Sequence, residues 1–177
     1  MDINLLVKLT SRAWSLNILA LLHRGTPGRQ ASLLAATNAG RTAFAASLDH
    51  LIELGVVEKN PGHGHPLRPE FRLTEQGVVI GQIAHRIVSI VPSDQEFALL
   101  RRSWTVPVLA LTGAPQRFSD LRMKLLPITD RALSGTLQKL EHQDWIRREV
   151  ITTARTPFPV YNAINRGQDI ARVINGP

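Results

Sequence analysis

The 177 residues contain no cysteine, which excludes disulfides, thiolate zinc sites, a cysteine nucleophile and thiol-based redox sensing. Aromatic residues are scarce, at 5%, and give no sign of the pocket between the halves that a third possibility, a sensor of an unknown small-molecule effector, would need. The N-terminal stretch MDINLLVKLTSRAW is broken by Asp2, Lys8 and Arg12. It has neither the core of a signal peptide nor the ~20 apolar residues of a membrane span. A soluble, cytoplasmic protein with no membrane partner is therefore expected. No phosphate loop, paired-carboxylate constellation, nucleophile elbow or HExxH sequence occurs, and Ser134-Gly135 falls on an expected helix outside any GxSxG context. Neither an enzyme nor a cofactor is expected.

What the chain does have is positive charge and repetition. Lys and Arg number 21 against 14 Asp and Glu, a formal charge of +7. Residues 1–91 carry nine basic and six acidic groups, and residues 92–177 twelve and eight. An excess in both halves favours a polyanion, nucleic acid ahead of an anionic membrane surface.

WSLNILALL at Trp14 aligns with WTVPVLALT at Trp104, and PEFRLTEQG from Pro69 with PVYNAINRG from Pro159, both at an offset of 90. Between them GRQASL matches QRFSDL, and SLDHLIELGVVEK matches TLQKLEHQDWIRR. Four blocks in one order, separated by small changes in loop length, mark one supersecondary unit used twice.

In the second copy the sequence predicts a helix over Asp94–Thr112, announced by Ser93 and Glu96 as a capping box, with Pro107 kinking it or delaying a second segment. Ser119 is placed to cap a short helix, Asp120–Leu126. Thr129 or Asp130 caps the next, whose Leu133, Leu137 and Leu140 form one apolar stripe. A β-hairpin (WIRREVITT, then VYNAI) and a closing helix, Gly167–Ile174, complete the copy. The first copy repeats the series with Phe44, Leu48 and Leu51 as its stripe. Its closing helix, VVIGQIAHRIVSIV, is expected to bury Val79, Ile83, Ile87 and Ile90. The fold class is thus α+β, mostly α: two tandem winged helix-turn-helix domains, residues 1–91 and 92–177, forming a pseudo-dimer. The linker and terminal helices are the expected glue, within one chain or between two in a homodimer.

A helix in the major groove needs a buried stripe and polar or basic groups on its leading face. In the second copy Thr129, Arg131, Ser134 and Gln138 supply these, Arg131 suiting guanine and Gln138 adenine. The first copy offers Arg41 and Thr42, then alanines. Arg29 and Arg117 precede the first helix of each pair, where a phosphate or merely a packed stem would satisfy them. His63, His65, Arg68 and Arg155 fall in the wing loops and suit the minor groove or backbone. His63-Gly64-His65 is an incomplete metal site, so no metal is expected. Trp14, Trp104 and Trp145 are expected in the core.

The residues Trp104, Leu109, Arg117-Phe118, Leu121, Ile128, the Leu133/Leu137/Leu140 stripe, Trp145-Ile146 and Pro159-Val160-Tyr161 with Gly167 resemble the HxlR-type helix-turn-helix regulators, relatives of the MarR group. The first copy is a looser match, carried by Trp14, Ile18-Leu19, Leu33, Leu48, Leu51, Gly55-Val56-Val57 and FRLTEQG. The resemblance implies a regulator of transcription that binds double-stranded DNA. Since such proteins usually act as homodimers on palindromes, it also implies that a tandem chain mimics the dimer. Many members sense oxidants through an N-terminal cysteine, a route closed here. The competing expectation is an adaptor that uses tandem winged helices to bind proteins and no DNA.

Overall fold

In the computed structural model, the structure describes residues 1–60, 69–153 and 156–176. The chain begins with α1 (Ile3–Thr10), then α2 (Ser15–His23), α3 (Gln30–Thr37), α4 (Arg41–Glu53), β1 (Val57–Asn60), β2 (Glu70–Leu73) and α5 (Glu75–Ile90). It continues through α6 (Asp94–Leu100), α7 (Thr105–Leu111), β3 (Gln116–Arg117), α8 (Phe118–Lys124), α9 (Asp130–His142), β4 (Ile146–Ile151), β5 (Phe158–Ala163) and α10 (Asn165–Asn175). The architecture is mostly helical, with two small antiparallel sheets ordered β1-β2 and β3-β5-β4.

The chain forms two compact units, Arg12–Phe97 and Met1–Ser11 together with Ala98–Pro177. They do not divide at residue 91, because α1 belongs with the distant half of the sequence. Leu6 and Leu9 are fully buried, and α1 packs on α7. Thr10 donates its hydroxyl to the Ser103 carbonyl at 2.8 Å, and the Met1 ammonium donates to the Ile174 carbonyl near the end of α10 at 3.1 Å. Each buried leucine contributes about 1.5–3 kcal/mol, so α1 is part of that unit's core.

Within the unit Arg12–Phe97, α4 buries Phe44, Leu48 and Leu51 and packs against β1, which pairs with β2 from Val57↔Leu73 to Asn60↔Glu70. In the other unit α9 buries Leu133, Leu137 and Leu140, and β4 pairs with β5 from Ile146↔Ala163 to Ile151↔Phe158. A third strand position recurs too: Arg29 bridges Glu70 in the first, and Gln116-Arg117 pair with Tyr161 and Val160 in the second.

One backbone device is common to both. Gly77 and Gly167 lie in the first turn of their unit's last helix, where a Cβ would come 1.9 Å from the Val56 carbonyl oxygen and 2.0 Å from that of Trp145. Only glycine lets the helix meet the hairpin this closely. The chain then bonds back to the same two carbonyls, through Thr74 N at 3.2 Å and Ile164 N at 2.9 Å.

Further expectations are corrected. The span Asp94–Thr112 is two helices, and Pro107 sits in the first turn of α7, where its missing N–H costs no helical bond. Ser119 does not cap α8; Arg117 occupies the cap position and Ser119 lies inside the helix. The closing helix of the second half starts at Asn165, ahead of Gly167.

The buried face of α5 is Gly77, Ile80, Gly81, Ala84 and Ile87, whereas Val79 is 60% exposed. Small residues carry that contact: a Cβ on Gly81 would meet the Leu19 carbonyl at 3.3 Å, so α2 and α5 approach backbone to backbone. A search for large apolar side chains misses such a face. Trp14 and Trp145 are buried as expected, while Trp104 is half-buried. No single helix among the described residues is long and apolar enough to cross a membrane.

Candidate nucleic-acid interface

Helices α8 and α9 are joined by a five-residue turn whose Leu125 and Ile128 are buried. Those two side chains anchor the turn. Thr129 then caps α9, its hydroxyl accepting from Ala132 N at 3.2 Å. Arg122 on α8 donates to Asp130, the first residue of α9, at 2.7 Å. Cap, ion pair and buried stripe together fix how α9 is presented.

The stripe at Leu133, Leu137 and Leu140 faces inward, so Arg131, Ser134 and Gln138, which recur at i, i+3 and i+7, are exposed on the opposite side. Thr129 is exposed at the head of the same helix. The structure therefore brings four of the expected residues onto one surface. Arg131 supplies a planar fork of donors, Gln138 a paired donor and acceptor, and Ser134 a hydroxyl that serves as either.

Arg117 stands apart. Its guanidinium lies 3.6 Å from the centroid of the Phe158 ring, which ties the start of α8 to the hairpin. Ser119 is exposed beside Asp120, 3.5 Å from its carboxylate. In the other unit Arg41 and Thr42 are exposed at the start of α4, but Gly40 gives that helix no side-chain cap. Arg29 pairs with Glu70 at 3.3 Å. His63, His65, Arg68 and Arg155 lie outside the described residues. Among the described residues no group of three or more His, Asp or Glu is placed to hold a metal ion.

The sequence reading missed a concavity beside α9. An open depression of about 790 Å³ is lined by Arg102, Ser103 and Trp104, from the turn between α6 and α7, and by Arg131, Ser134, Gln138 and Lys139 of α9. Three cations meet there, and no carboxylate among the described residues lines it. Local sequence could not reveal this, because Arg102 and Lys139 are brought together only by the packing of α7 against α9. Arg147 and Arg148, exposed on β4, were also missed.

No curated protein matches the chain. Residues 99–176, which contain α7 to α10 and the surface just described, match the model of the HxlR-like helix-turn-helix family, a family of DNA-binding transcription regulators. Over these residues the chain is similar to that family.

Proposed function

We propose that the chain is a sequence-specific, double-stranded DNA-binding regulator that represses transcription by occupying promoter DNA. The observation that carries this reading is the row Thr129, Arg131, Ser134 and Gln138 exposed on α9 above its buried leucines. These groups match the hydrogen-bonding edges of bases in the major groove. Arg117 keeps its guanidinium edges for phosphate oxygens while its face stacks on Phe158.

The unit Arg12–Phe97 is, on this reading, a diverged winged-helix copy, so that one chain stands in for a dimer. The recurrence of glycine at positions 77 and 167 against equivalent carbonyls supports it. Arg29, Arg41 and Thr42 would serve its DNA contacts, and its alanine-rich α4 makes it the weaker reader.

Titration against duplex fragments at several salt concentrations tests the function. Affinity should fall steeply with salt, as counterion release requires. Absence of binding at low salt would transfer the assignment to a protein-binding adaptor.

A further inference from the structure

The depression beside α9 contains a charge arrangement that base reading leaves unexplained. Arg102 and Lys139 come from different elements and face the same open space. Neither they nor Arg131 form an ion pair among the described residues, whereas Arg29, Arg72, Arg122, Arg147 and Arg172 all do. Cations gathered without a counter-charge repel one another, and an anion relieves that repulsion. The space is wide and open, so it suits a strand of polyanion passing through better than an enclosed small molecule.

Lys139 also lacks the paired geometry that distinguishes bases; it offers a point charge with rotatable donors. Ser103, next to Arg102 in the turn between α6 and α7, also lines the depression. Charge and hydroxyl together are the usual equipment for holding a phosphate.

We propose that the turn between α6 and α7 is part of a backbone clamp: Arg102 and Ser103 from that turn and Lys139 from α9 hold the sugar–phosphate chain beside the bases addressed by Arg131, Ser134 and Gln138. The clamp deepens the DNA-binding reading and rests on it. It assigns positioning to the α6–α7 turn and sequence discrimination to α9. Affinity from the clamp is therefore indifferent to sequence.

The test measures the slope of log affinity against log salt for the full chain on one selected and one scrambled duplex. Arg102→Gln and Lys139→Gln should each reduce the slope by about 0.9, as loss of one phosphate contact does. Both should weaken the two duplexes by the same factor, and Arg102→Lys should restore the slope. Arg172→Gln, the same charge change on an exposed and ion-paired arginine of α10, should leave it unchanged. Circular dichroism identifies any variant that has lost helix, in which case Arg102→Lys and the Lys139 variant decide. If both glutamine variants keep the wild-type slope while the wild type binds in a salt-dependent way, the clamp is wrong and the DNA reading stands. A wild type without salt-dependent binding overturns both.

Discussion

Helices α4 and α9 are each 13 residues long and bury the same three positions, Phe44, Leu48 and Leu51 in one and Leu133, Leu137 and Leu140 in the other. Their surfaces differ. Where α9 presents Arg131, Ser134 and Gln138, the corresponding positions of α4 hold Thr42, Ala45 and Asp49. Where Thr129 caps α9, Gly40 leaves α4 uncapped. The two helices share their packing positions and differ in their exposed hydrogen-bonding groups. The two kinds of position answer to different constraints: a core stripe to the volume beneath it, an exposed face to whatever binds there.

The largest expected effect separates the units rather than the helices. Leu6→Ala empties a fully buried site and should cost about 2–5 kcal/mol. Because α1 packs in the unit that contains α7 and α10, hydrogen exchange should accelerate first in α7 and α10, with α2 and α4 protected longer. Earlier loss in α2 and α4 would break the assignment of α1.

The glycine pair sharpens the likeness. In an ordinary helix Gly→Ala gains about 1 kcal/mol. Gly77→Ala and Gly167→Ala should instead each destabilise by about 3 kcal/mol or more, since the new methyl meets a carbonyl that cannot move alone. Thermal melts of both variants check this, with Gly135→Ala, which meets nothing within 4 Å, as the control that should not destabilise. If only one of the pair suffers, the framework is not shared.

On the exposed faces the units should part. Arg131→Ala removes base discrimination worth ~1–3 kcal/mol and should relax sequence preference, while Thr42→Ala at the matching position of α4 changes it little. Selection of each variant on randomised duplexes separates them. Equal relaxation would erase the difference between the heads.

Capping gives the smallest effect. Thr129→Ala should cost about 1 kcal/mol, and Gly40→Ser should gain a few tenths. Denaturant midpoints of opposite sign are the expected result.

Much of α9 is legible locally, because its cap, its stripe and its exposed face all fall within one window from Thr129 to Leu140. The buried face of α5 is not, because glycine and alanine carry no hydrophobic signal although they permit the closest packing. The place of α1 is not legible either: nothing in residues 3–10 names a partner beyond residue 100, and only the assembled core supplies it. Arg102 and Lys139 illustrate the same limit at the site, as two unremarkable surface cations until the fold sets them around one depression.

On the proposed function, one chain carries a strong reading head and a weak one. Selection of the wild-type chain on a library of fully randomised duplexes distinguishes such a pair from two equal heads. The expected target has one well-defined half, read through Arg131, Ser134 and Gln138, and one degenerate half. Two chains bound together would show as twice 19.6 kDa and a footprint of paired sites, each still lopsided. A single chain that selects a short perfect palindrome, with equal information in both arms, would contradict the claim, because heads as unlike as α4 and α9 do not specify the same bases.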